Sequence, residues 1–154
     1  MEAPPAVQPM MYAGTFQHAM DAKNRVTIPS RWRRAGAESE EFFAIADEDG
    51  EFLMVMPPEI LQGMAAKVDA DPRVTVSERK VFMRYFYSRA QHLVVDKAGR
   101  ILIPEEQCSQ LGLRGEVVLA GRHSRFDVWK PERWKRAFDE DNSTYKHVLS
   151  IVSL

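Results

Sequence analysis

Apolar and polar positions alternate in short runs along this chain, and each run closes at a turn signal or a proline. Period-two alternation marks a half-buried strand. It predicts strands over Tyr12–Met20, Arg25–Ile28, Phe42–Ala46 and Glu51–Met56, then over Gln91–Val95, Arg100–Ile103, Glu116–Ala120 and Arg125–Trp129. Asp47-Glu48-Asp49-Gly50 reads as an Asp-Gly hairpin turn, and Gly121–Ser124 joins the last two strands. Helical spacing takes over where prolines open a segment. Pro57-Pro58-Glu59 starts a helix carrying Ile60, Leu61, Met64, Ala65 and Val68, broken at Asp69-Ala70-Asp71-Pro72. Ser77–Ser88 is a second helix, and Pro131-Glu132-Arg133-Trp134 opens a third. Two shorter ones follow prolines: Arg31–Ala35, closed by Gly36 and a polar loop Ala37–Glu41, and Pro104–Leu111, stopped by Gly112. Asp139–Leu154 reads as a tail with an apolar end, Val148–Leu154.

The order of these elements repeats. Asp21-Ala22-Lys23-Asn24-Arg25-Val26-Thr27-Ile28-Pro29 returns as Asp96-Lys97-Ala98-Gly99-Arg100-Ile101-Leu102-Ile103-Pro104. Asn24 and Gly99 stand at the same place, and Asn and Gly are the residues that most readily take positive φ. The helix start Val55–Glu59 matches Val128–Glu132 in the same way. This grammar, met twice, argues for an internal duplication. The boundaries predicted are an extension over 1–11, a first repeat over 12–76, a linking helix over 77–88, a second repeat over 89–140 and a tail over 141–154. Four short strands make a poor core alone. The expected fold is therefore α+β, with two copies exchanging hairpins to close one small barrel around a pseudo-two-fold within the chain.

Composition narrows the function. The chain has 154 residues, is 45% hydrophobic and 28% charged, and has a formal net charge of −1. Net charge gives no general attraction to nucleic acid, so such a role needs local clustering. The Pro-rich segment Met1–Met10 lacks the basic start and apolar core of a signal peptide, and no run approaches a membrane span. One cysteine, Cys108, excludes an intramolecular disulfide and a Cys-rich metal site, and a reducing cytoplasm is the expected compartment. His18, His92, His123 and His147 have no metal-ligand spacing. Asp47-Glu48-Asp49 lacks the calcium-loop pattern, and Gly112-Leu113-Arg114-Gly115 is a turn, not a phosphate loop. No nucleophile and base are paired. The reading is of a protein that is not an enzyme and uses no cofactor or small-molecule substrate.

Gly14, Phe16, His18, Asp21, Lys23, Arg25, Val26, Ile28, Pro29, Trp32 and Arg33 match, in type and spacing, the pattern of the MraZ family of bacterial proteins, and the resemblance covers about residues 12–140. Asn24 departs from it where glycine is usual. The resemblance implies the AbrB-like swapped-hairpin fold and a DNA-binding transcriptional regulator of the division and cell wall gene cluster. It also implies recognition of tandem direct repeats upstream of its own operon, a nucleoid-associated location, and assembly into a ring-like homo-oligomer.

The residues themselves point to where DNA would lie. Lys23, Arg25, Arg31, Arg33 and Arg34 in the first copy face Asp21 alone, whereas Lys97, Arg100 and Arg114 in the second are balanced by Asp96, Glu105 and Glu106. The fold does not need the arginines after Pro29, because the second copy puts glutamates there. Arg25 is the expected base or phosphate contact, Lys23 a phosphate contact, and Arg31, Arg33 and Arg34 further DNA-binding residues. Asp21, Asn24, Asp96 and Gly99 shape the turns. Arg100 is expected to be structural, and Trp32 to be core. Arg79, Lys80, Arg84 and Arg89 read as a solvated helix face. Ile60, Leu61 and Met64, with Val148–Leu154, are candidate subunit contacts. The alternative from another class is an oligomeric scaffold of the same fold that does not bind DNA.

Overall fold

The computed structural model describes residues 10–34 and 40–154. The expected extension up to residue 9, the end of the first short helix and the loop after Gly36 lie outside the described residues. Among the described residues eight strands and four α-helices follow the predicted order: β1 (Thr15–Ala19), β2 (Arg25–Thr27), β3 (Glu41–Ala46), β4 (Phe52–Met56), α1 (Pro58–Ala70), α2 (Val76–Arg89), β5 (Gln91–Val94), β6 (Arg100–Leu102), α3 (Glu105–Leu111), β7 (Glu116–Arg122), β8 (Arg125–Trp129) and α4 (Pro131–Ile151). The helix expected after Pro29 is, in the described residues, one 3-10 turn over Ser30–Trp32. α2 begins with a capping box in which Thr75 and Glu78 satisfy each other's backbone N–H groups. α3 stops at Gly112 in the left-handed conformation (φ 67°).

The fold is mixed α+β with antiparallel pairing throughout its two sheets. Strands before α2 pair with strands after it: β1 with β7, β2 with β6, β3 with β5 and β4 with β8. The larger sheet has the order β1-β7-β8-β4-β3-β5. Exchanging each strand for the one in the same place in the other half turns this order into its own reverse. The sheet is open. Among the described residues no ladder joins β1 to β5, and β2 and β6 form a separate two-stranded ribbon. The expected barrel is thus not closed by hydrogen bonds, because strands of three residues are too short to extend the ladders to both edges.

The ribbon sits over the core because of its alternation. Val26 and Ile101, with Ile28 and Ile103 just beyond, are fully buried. Each contributes about 1.5–3 kcal/mol relative to exposure. Trp32 is 1% exposed and packs with Tyr12, Phe16 and Phe126, its indole N–H donating to Ala13 O at 3.1 Å. It is core, as the sequence reading expects. Leu61 is buried, and Ile60 and Met64 pack with it on Ile45 and Phe86. That face is consequently spent inside the chain and is not a free subunit contact. The segment read as a tail continues α4 to Ile151 with no buried residue in the helix.

Candidate nucleic-acid interface

Two Asp-centred turns set the geometry. In the first, the Asp21 carboxylate accepts the backbone N–H groups of Lys23 and Arg25 at Oδ1 (both 2.9 Å) and Arg25 Nε at Oδ2 (2.7 Å). Asn24 N–H donates to Asp21 O, and Asn24 takes φ 62°. The second turn repeats this bond for bond. Asp96 accepts the N–H groups of Ala98 and Arg100 at 2.9 Å and Arg100 Nε at 3.0 Å, and Gly99 has φ 79°. The Arg25 N–H holds the Asp21 carboxyl below the usual carboxylate range, and the Arg100 N–H does the same for Asp96.

Alternation then aims the arginines. With Val26 and Ile101 inward, Arg25, Thr27, Arg100 and Leu102 occupy the outer face, and the register sets Arg25 opposite Leu102 and Thr27 opposite Arg100. The two arginines are alike: their side chains are 31% and 32% exposed. Each is tied through Nε to its own aspartate. Arg100 Nη1 lies 3.8 Å from Asp21 Oδ2, and Arg25 makes no hydrogen bond through its terminal amino groups among the described residues. A carboxylate that takes Nε orients the guanidinium and leaves its outer edge to meet a guanine edge or a phosphate. The two arginines are thus held alike through Nε, and Arg100 differs in its second ion pair, to Asp21.

The five cations grouped by sequence do not form one patch. Lys23 is exposed on the first turn. Arg31 is exposed with its guanidinium 5.9 Å from the Phe16 ring. Arg34 is half-buried, ion-paired to Glu59 of α1 at 3.4 Å, and its N–H donates to Glu40 (3.3 Å). Arg33 is carried to the opposite end of the ribbon from Lys23, against Gly99 of the second turn. The cause is the strand exchange. Ile103 N–H donates to Asn24 O and Ile28 N–H to Gly99 O, so each turn lies beside the segment that follows the other half's proline. Sequence reading missed the resulting partners: Asn24 Nδ2 donates to Glu105 Oε2 at 2.7 Å, and Glu105 is ion-paired to Arg114. The only sequence signal for them is the Pro29–Pro104 correspondence, which becomes a contact rule once the halves exchange. Arg125 was also missed. It is half-buried, with Nη1 on the sulfurs of Met54 (3.8 Å) and Met64 (3.4 Å).

Among the described residues no group of three His, Cys, Asp or Glu side chains could hold a metal ion, and no helix is long and apolar enough to cross a membrane. An interlocked α+β chain presenting a two-stranded ribbon with paired, pre-oriented arginines is of the class that meets a partner through a surface. The family model described as "MraZ protein, putative antitoxin-like" matches residues 11–81 and 86–148. The chain belongs to the MraZ family. It is 35% identical over 138 residues to a protein of Heliobacterium modesticaldum, covering 90% of this chain and 94% of that one. It is 29% identical to one of Clostridium tetani (93% and 97% covered) and 31% identical to one of Acetivibrio thermocellus (94% and 98%). All three are named transcriptional regulator MraZ, a regulator and not an enzyme.

Proposed function

We propose that this chain is a sequence-specific DNA-binding transcriptional regulator that acts as a homo-oligomer, in the cytoplasm and on the nucleoid. The observation that carries this is the ribbon face, where Asp21 and Asp96 hold Arg25 and Arg100 by Nε, Arg25 makes no hydrogen bond through its terminal amino groups among the described residues, and Arg100 turns Nη1 toward Asp21. Both arginines read DNA. Lys23, Arg31 and Arg33 add phosphate contacts, and Arg34 ties the ribbon to α1. The palindromic strand order supports an internal duplication with exchanged hairpins, the AbrB-like arrangement, with repeats over 12–76 and 89–140 joined by α2. The targets are short tandem direct repeats upstream of its own operon in the division and cell wall cluster.

One ribbon on a chain of net charge −1 would bind DNA at about 10⁻⁴–10⁻⁶ M, as non-specific contacts do. Several ribbons in one assembly raise apparent affinity by about 10²–10⁴ when the DNA offers matched sites. A head-to-tail ring presents ribbons in one sense, which suits direct repeats. The contact is α4, whose Phe138, Tyr145, Val148 and Ile151 are exposed, as is Val152 just beyond it, without cover among the described residues. Electrophoretic shift on a duplex from upstream of the gene tests the reading. A shift that weakens steeply with salt and is lost when one repeat is scrambled supports it. No shift at low salt leaves the oligomeric scaffold.

A further inference from the structure

Each turn rests on a different neighbour, and that difference breaks the symmetry of the ribbon. We infer that the two ends of the ribbon are not interchangeable, and that the Asp96–Gly99 end, backed by Arg33, grips the phosphate backbone more strongly than the Asp21–Asn24 end, where Lys23 stands alone. This rests on the DNA-binding reading above.

Near-identical turns and equally exposed arginines would let the ribbon lie on a duplex in either direction. The neighbours decide otherwise. At the second turn the Arg33 guanidinium lies against Gly99. A Cβ there would stand 1.9 Å from Nη1 and 2.6 Å from Cζ, so glycine is what makes room for the cation. Among the described residues the Arg33 side chain makes no hydrogen bond, and its Nε is buried without a partner. Glu40 lies within its field, but that carboxylate accepts the Arg34 N–H instead. Lys97 is exposed on the same turn. This turn therefore carries one cation, Lys97, and has a second, Arg33, against its glycine.

The equivalent seat at the first turn is filled by the Asn24 side chain itself, which turns onto Glu105. Glu105 is held ionised, first by that amide and then by Arg114. At this end Arg114 is spent on Glu105, whose carboxylate lies beside the turn that carries Lys23. An anionic backbone is drawn more strongly to the second end, and the ribbon is laid down in one sense. Direct repeats need that polarity at every site, and a symmetric ribbon would not supply it.

The test is a salt titration by fluorescence anisotropy on two duplexes of equal length, one from upstream of the gene and one of random sequence. Losing one phosphate contact lowers the slope of log affinity against log salt by about 1 per engaged protomer. Arg33→Gln and Lys97→Gln are each expected to lose that much on both duplexes. Gly99→Ala, which displaces Arg33 without removing its charge, should match Arg33→Gln. Lys23→Gln should lose less than half as much. Equal losses for Lys23→Gln and Lys97→Gln, with wild-type binding intact, would overturn the polarity and leave the DNA reading standing. Wild-type chain without salt-dependent binding would overturn both. Lys97 is exposed, so its variant carries the test even where Arg33→Gln or Gly99→Ala fails to fold.

Discussion

Asp21 and Asp96 each satisfy two backbone N–H groups and one guanidinium, so the two carboxylates hold both the turn and the arginine. Their folded pKa values lie below the unfolded value of about 3.9. The stability they contribute is whole above that value and is lost as pH falls through the folded pKa. Asp21→Asn/Asp96→Asn is therefore expected to be less stable than wild type at pH 7, and the two stability curves should converge below about pH 4. Urea unfolding across pH checks this, and a gap that stays constant contradicts it. Positive φ gives a second prediction. Gly99→Ala should cost about 1–2 kcal/mol for the left-handed backbone alone, before the displacement of Arg33. Asn24→Gly keeps a permitted backbone and should cost about 0.5–1 kcal/mol, through glycine's entropy and the bond to Glu105. Midpoints of denaturant curves with unchanged slope would report both.

The strands, turns and proline-opened helices were legible in the sequence, because alternation, Asp/Asn/Gly turns and prolines are local signals. Trp32 is expected as core although its neighbours Ser30, Arg31, Arg33 and Arg34 are polar, and the structure buries it. What was not legible is where the halves touch. Arg33 and Lys23 are ten positions apart in the sequence yet lie at opposite ends of the ribbon, while Arg33 meets Gly99 and Asn24 meets Glu105. Those neighbours follow from the exchange, which no local pattern encodes. The end of α4 was missed because its polar run Asp139–Thr144 masked a stripe through Trp134, Phe138, Tyr145, Leu149 and Val152 that recurs at helical spacing. Trp134 anchors the start of the helix on Trp129, with ring centroids 5.6 Å apart, and beyond Phe138 nothing among the described residues covers it. Deleting residues 139–154 should therefore leave a folded chain with its near-ultraviolet dichroism intact but fewer protomers per particle by light scattering. A truncated chain that unfolds, or that keeps the full-length number of protomers, contradicts the assignment of α4 to assembly.

Ribbon and assembly act together in this account. The fold aims Arg25 and Arg100 outward from one short ladder, the weak single contact needs several copies, and α4 is the exposed apolar surface that can join them. Arginine contacts to base edges are worth about 1–3 kcal/mol each, and an assembly engaging several repeats multiplies that loss. The most direct measurement is anisotropy on the repeat-containing duplex with wild type, Arg25→Ala, Arg100→Ala and the double variant, each checked for an unchanged melting curve. The account predicts that each single variant loses about tenfold or more in affinity, that the double variant falls to the level of random-sequence DNA, and that all four remain folded. A double variant that binds the repeats as wild type does would contradict it.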